Sequence, residues 1–222
     1  MSGIVDLSYP IEDHFRWKVQ RSLASSFDGG GQFQATWLGS GVHGFTHVDA
    51  PRHILPDGPT TSELALDALV GEAAVLDLSD VGPGAAIDAG MLAGRGEHLR
   101  KRDRILIRTD WDKHRSLHVP EFWSEAPYLT RDACEWLMSF EPLLIGFDFP
   151  QDEPIRGLLD GRTAPLEEFV SHDVLLRQGV ILVEYLCNLG QIHQDRTRIV
   201  VLPLRVLGAD GAPARAIAES AI

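Results

Sequence analysis

Ser171-His172-Asp173-Val174-Leu175-Leu176-Arg177-Gln178-Gly179-Val180-Ile181-Leu182-Val183-Glu184-Tyr185-Leu186 reads as one helix, one stop and one buried strand. Ser171 is placed to cap a helix over 171–178, and Gly179 to end it. Residues 180–186 are an apolar run of the kind found in strands covered on both faces. The same alternation recurs outward from this unit. Strands are expected at 32–40, 73–78, 104–109, 143–147 and 199–206, and helical stretches at 62–70, 88–93 and 130–139. Ser62 and Thr130 are the matching caps, and Gly71 is a further stop. The pattern predicts an α/β fold around a mixed, largely parallel sheet. No repeat, biased tract or linker divides the chain, so residues 1–222 read as a single domain.

The net charge of −12 argues against a nucleic-acid partner, which demands a basic footprint. The one basic run, from Arg95 to Arg104, is interrupted by Glu97 and Asp103 and reads as a solvated helix end. Neither Cys134 nor Cys187 has a CxxC neighbour, so a disulfide framework and a thiolate zinc site are both unsupported. Both cysteines read as buried packing residues. The first residues, Met-Ser-Gly-Ile-Val-Asp-Leu, lack the charged and apolar regions of a signal peptide, and no apolar run is long enough to span a membrane. A reducing cytoplasm is the expected compartment.

Two residues of the opening stretch are out of place. A carboxylate such as Glu184 inside an apolar strand is costly unless it is paired, faces solvent at an edge, or binds a metal. His172 lies one short helix and a turn away, so the two can meet at one end of the sheet. Asp148 follows the apolar strand 143–147, beyond the carboxyl end of a strand, where ligands gather in α/β sheets.

A denser cluster is His43-Gly44-Phe45-Thr46-His47-Val48-Asp49-Ala50-Pro51-Arg52-His53, which holds three of the nine histidines. Imidazole and carboxylate together suit Zn²⁺, Mn²⁺ or a similar divalent ion. On a straight strand His43 and His47 would be about 13 Å apart, too far for one ion. A turn brings residues four apart to about 5–6 Å. Gly44 permits the turn and Pro51 enforces the exit. The expectation is a bent loop wrapping a metal, neither strand nor long helix. The plainer alternative is surface histidines beside a turn that Asp49 caps.

With these residues in place, the chain resembles the cyclase-like metal-dependent hydrolases of the kynurenine formamidase (arylformamidase) and isatin hydrolase type. The family signature His-x-Gly-Thr-His-x-Asp-x-Pro-x-His is matched by residues 43–53. Weaker matches follow in order: Asp6-Leu-Ser8, Leu69-Val-Gly71, Thr109-Asp-Trp111, Ile145-Gly-Phe-Asp148, His172 with Leu175-Leu176, Glu184-Tyr-Leu-Cys-Asn188-Leu189, and Gly211-Ala-Pro213-Ala-Arg215. The resemblance implies a swivelling β/α/β domain, a homodimer or homotetramer, and a centre of one or two divalent ions. It implies that His43, His47 and Asp49 bind a first ion, and that Asp49, His172 and Glu184 bind a second. His53 would be the general acid/base. Two departures stand out: Phe45 replaces the signature glycine, and Gln151 stands where serine is frequent. Trp17, Phe45, Asp148 and Gln151 are the candidate substrate contacts.

The expected chemistry follows from the ligands. A divalent ion lowers the pKa of water from 15.7 to about 7, and a histidine near pKa 6.5 can shuttle the proton to a departing nitrogen. The expected activity is hydrolysis of an amide C–N bond in a small molecule, of the arylformamidase type. Two alternatives remain: opening of a cyclic amide such as isatin, and a non-catalytic metal-binding module on the same fold. A closed structural zinc site, built mostly of cysteine and histidine, fits the carboxylate-rich set poorly.

Overall fold

The computed structural model describes residues 3–220. Twelve strands follow in chain order: β1 (Gly3–Asp6), β2 (Val19–Ser25), β3 (Ala35–Ser40), β4 (His47–Asp49), β5 (Val70–Asp77), β6 (Ala86–Ile87), β7 (Arg104–Arg108), β8 (Tyr128–Leu129), β9 (Leu144–Phe147), β10 (Ile181–Glu184), β11 (Arg196–Pro203) and β12 (Gly211–Ser220). Five short α-helices accompany them: α1 (Leu66–Leu69), α2 (Ala89–Ala93), α3 (Trp111–His114), α4 (Glu121–Ser124) and α5 (Arg131–Met138).

The main sheet runs β1-β12-β11-β5-β7-β9-β10-β4, and a further pairing of β4 with β12 closes it into a barrel. The fold is therefore α/β with a mixed sheet, but the expected parallel majority is wrong. Only the β5–β7, β7–β9 and β9–β10 joins are parallel, against five antiparallel ones. Parallel neighbours need a crossover, and only this central segment has crossovers; β11 and β12 are joined by the loop 204–210 as an antiparallel pair. Six of the described strands escape detection in the sequence: β1, β2, β4, β6, β8 and β12. The reason is plainest in β12, Gly-Ala-Pro-Ala-Arg-Ala-Ile-Ala-Glu-Ser, whose alanines have low strand preference.

Side chains alternate between two cores. Val5, Val48, Val75, Leu106, Leu144, Val183, Val201 and Ala216 fill the barrel. The opposite face packs Ile105, Ile107, Ile145, Phe147 and Leu182 against α2, α4, α5 and the rings of Trp111, Phe122 and Trp123. Cys134 and Cys187 are buried free thiols, as expected. No helix among the described residues is long and apolar enough to cross a membrane.

Several local expectations are corrected. The strand expected over 32–40 is β3, which pairs only with β2 in a separate hairpin where Leu23, Phe27, Phe33 and Trp37 stand exposed. The helix expected over 62–70 breaks into a 3₁₀ turn, Thr61–Glu63, and α1. Thr60, not Ser62, makes the capping box with Glu63. Gly71 is no stop but a residue of β5, roofed by the Arg104 guanidinium. The basic run 95–104 is a set of turns leading into β7 rather than a helix end. Residues 171–178 form a π turn, Ser171–Leu175, and a 3₁₀ turn, Leu176–Gln178, closed by Gly179 at φ +90. Ser171 is not the cap, because its hydroxyl is committed to Asp152 at 2.7 Å.

Candidate metal centre

Strand register assembles the site. β4 lies between β10 and β12, with Glu184 directly opposite His47, and Leu182 and Gly211 opposite Asp49. Because side chains alternate, Val48 enters the barrel while His47 and Asp49 share the other face with Glu184. Residues 47–49 are therefore a strand, contrary to the loop expected there, and the turn is confined to the residues before them. Its left-handed residue is Phe45, at φ +56, rather than Gly44. Gly44 serves a different purpose: a Cβ there would stand 3.2 Å from the Trp17 ring. Thr46 ties the turn down, donating its hydroxyl to the Tyr185 carbonyl at 2.5 Å and accepting the Tyr9 N–H at 2.9 Å. His47 Nδ1 donates to the Phe45 carbonyl at 2.8 Å, which leaves Nε2 as the open lone pair.

Asp49 is the hub. Its Oδ1 is 2.7 Å from His43 Nδ1 and 3.2 Å from His47 Nε2, and its Oδ2 is 3.8 Å from His172 Nε2. Glu184 lies 3.7 Å from both His47 Nε2 and His172 Nε2. The five residues expected to hold metal thus come together as two groups, His43-His47-Asp49 and Asp49-His172-Glu184. A donor set of this kind fits a divalent ion. Bonds of about 2.0–2.2 Å place neighbouring tetrahedral ligands about 3.3–3.6 Å apart, close to the spacings present. His47 Nε2 and Asp49 Oδ2 are buried without a hydrogen-bond partner, a costly state that a bound cation would relieve.

Outer partners orient this set, as is usual for metal-binding histidines. His43 Nε2 bonds Asp210 at 2.7 Å, His172 Nδ1 bonds Asp152 at 2.6 Å, and Gln151 donates to Glu184 at 2.5 Å. Sequence reasoning missed Asp210 and Asp152, since a lone aspartate in a loop looks like any turn residue. Burial disfavours protonated His43, but the bonds and charges of Asp49 and Asp210 outweigh it and raise the imidazole to about 9. His172 reaches about 9 for the same reason, its partners being Asp152, Glu184 and Asp49. Burial and the Asp49 charge raise Glu184, whereas the neighbouring imidazoles overcome burial to hold Asp49 well below the usual carboxylate range.

His53 sits beside this set, its ring 4.0 Å from that of His43 and its Nδ1 3.2 Å from Asp210. Burial lowers its pKa, with Asp49 opposing and the His43 and His172 charges adding to the fall. A cavity of about 350 Å³ opens over these residues, walled by Trp17, Ile54, Ile155, Leu158 and Phe169. Trp17 thus lies where a substrate contact was expected; the other three candidates do not line the cavity. Phe45 is buried beneath Trp17, Gln151 is spent on Glu184 and Ser171, and Asp148 accepts the Thr109 and Asp110 amides and the Thr109 hydroxyl. The nearby acids Asp110 and Asp112 make no comparable site, because Arg108 and Lys113 already pair with Asp110 at 2.8 Å.

The chain is similar to a kynurenine formamidase from Bacillus cereus, 28% identical over 96% of this chain and 95% of that protein. It is likewise similar to an isatin hydrolase from Roseibium aggregatum, 28% identical over 90% of this chain and 81% of that one. An isatin hydrolase solved with the product analogue thioisatinate superposes with a TM-score of 0.83, at 25% identity, covering 100% of this chain and 93% of the other. The family model described as "Putative cyclase" matches residues 5–154, and the chain belongs to that cyclase family.

Proposed function

We propose that this protein is a metal-dependent hydrolase cleaving an amide C–N bond in a small molecule, of the arylformamidase type. His43, His47, Asp49, His172 and Glu184 would hold one or two divalent ions, Zn or Mn. The observation that carries the reading is the buried Asp49 carboxylate, shared between two ligand groups whose unpartnered atoms lie under an apolar cavity. When bound, such an ion supplies a water acidic enough to ionise near neutral pH and a Lewis acid for a carbonyl oxygen. His53, kept neutral at pH 7 by burial, accepts a proton and returns it to the leaving nitrogen, while Asp210 holds its ring. Trp17 and Phe169 offer flat walls to an aromatic amide.

The second reading, opening of a cyclic amide, is favoured by the superposition on the thioisatinate-bound isatin hydrolase. Assaying N-formylkynurenine against isatin, with elemental analysis of the same preparation, separates the two. Protein expressed under metal-replete conditions that carries no divalent ion would end the metal-centre reading, and loaded protein inert on both amides would end the two substrate assignments.

We also read residues 1–222 as one domain of the swivelling β/α/β type, supported by a closed sheet whose strands come from both ends of the described chain. Assembly as a homodimer or homotetramer is supported by the apolar side chains exposed on the β2–β3 hairpin. A reducing cytoplasm suits the two free thiols.

A further inference from the structure

The two ligand groups that share Asp49 are oriented from different parts of the chain. His43 is held through Nε2 by Asp210, and His47 through Nδ1 by the Phe45 carbonyl. His172 and Glu184, by contrast, are both held by one dipeptide, Gln151-Asp152, in the segment that follows β9. Asp152 bonds His172 Nδ1 at 2.6 Å, which leaves Nε2 facing Asp49 at 3.8 Å and Glu184 Oε1 at 3.7 Å. Gln151 Nε2 donates to that same Glu184 Oε1 at 2.5 Å and to the Ser171 hydroxyl oxygen at 3.1 Å.

Its partners fix which way the amide faces. The Ser171 hydroxyl gives its proton to Asp152 at 2.7 Å, so its oxygen can only accept, and an ionised Glu184 can only accept as well. Both therefore require the NH₂ end of Gln151. The other end is left unsatisfied, since Gln151 Oε1 is buried without a hydrogen-bond partner. An orphan acceptor in the interior carries a desolvation penalty, so core stability does not account for a glutamine here. Its donor does. The amide engages Glu184 without adding a positive charge, whereas a lysine or arginine in its place would repel a cation.

We infer that Gln151 is a positioning residue for the Asp49-His172-Glu184 group alone, so that two ion positions are set by separate segments and the second can be lost without the first. This rests on the proposed metal centre. Gln151 does not line the cavity and acts only through Glu184. Without the amide, nothing holds Oε1 toward His172, and the carboxylate can turn to His47, which is already 3.7 Å from Oε2. Through Ser171 the amide also ties Glu184 to the turn that carries His172, so the two ligands are held as one unit.

The test titrates Co²⁺ into the chelator-stripped full chain, following visible absorption and confirming bound ion by elemental analysis. The wild type is expected to take up two equivalents in two steps. Gln151→Met keeps the length of the side chain and removes the donor. It is expected to weaken the second step by about 10- to 100-fold and to leave the first unchanged. Gln151→Asn keeps a carboxamide but is one methylene too short to span to Glu184; it should show the same selective loss, and it replaces the methionine variant should that disturb the core. An unchanged second step overturns the assignment. So does equal weakening of both steps, because a merely loosened core would not spare one position. A wild type that binds a single equivalent overturns it too, since no second position then exists. A wild type that binds none sinks the metal-centre reading itself, and this assignment with it. No step needs turnover: selective loss in a protein inert on every amide sinks the hydrolase reading and keeps the role of Gln151.

Discussion

Asp49 is 1% exposed and carries its charge there because imidazoles reach it from two sides. Isolated in this position, it would be protonated or destabilising. The neighbouring histidines are not equivalent. His43 and His172 each hold a carboxylate on the ring nitrogen that faces away from the centre, whereas His53 keeps its contact with Asp210 at a looser 3.2 Å and lines the cavity. His53→Ala should therefore lower turnover by about 10²- to 10⁴-fold with metal content unchanged, as read by steady-state kinetics and elemental analysis. Asp210 supports both His43 and His53, so Asp210→Asn should cost about 10- to 100-fold in metal affinity or activity. Metal titration alongside kinetics would separate the two effects, and a variant equal to the wild type in both would remove Asp210 from the site.

At the scale of elements, three-residue β4 does the assembling. Its neighbours on either side supply Glu184 and the glycine that leaves room for His43. A Cβ on Gly211 would stand 2.5 Å from His43 Cε1, and since Gly211 is in a strand the backbone cannot swing away cheaply. Gly211→Ala should displace the imidazole and weaken metal binding by about 10- to 100-fold, comparable to losing an orienting partner; competition against a chromophoric chelator measures it. The π turn at Ser171–Leu175 matters similarly. Asp152 binds the Ser171 amide and hydroxyl and the His172 ring together, which fixes where that imidazole points.

For the whole molecule, the centre couples stability to pH. His43 and His172 stand at about 9 in the metal-free fold against 6.5 for a free imidazole. Raised values mean that the stabilisation they give is complete below pH 6.5 and disappears as pH climbs through 9. The stripped protein should lose thermal stability across this window. Metal must displace the same protons, so its affinity rises with pH. The gap in Tm between loaded and chelator-stripped protein should then widen from pH 6.5 to 9, as scanning calorimetry would show. A constant gap would mean that these imidazoles do not meet the ion.

The ligand types were legible in the sequence because they break local rules: Glu184 inside an apolar run, and three imidazoles in one short stretch. The α/β alternation and the strands β5, β7, β9 and β10 were legible for the opposite reason, since strands covered on both faces show as unbroken apolar segments. Strands β4 and β12 were not, being too short in one case and too rich in alanine in the other. Asp152 and Asp210 were likewise invisible, because what distinguishes them is a partner and not their own chemistry. Which imidazole nitrogen faces the centre, and which residues reach the cavity, depended on strand register and barrel closure, contacts between segments far apart in the chain that no local pattern encodes.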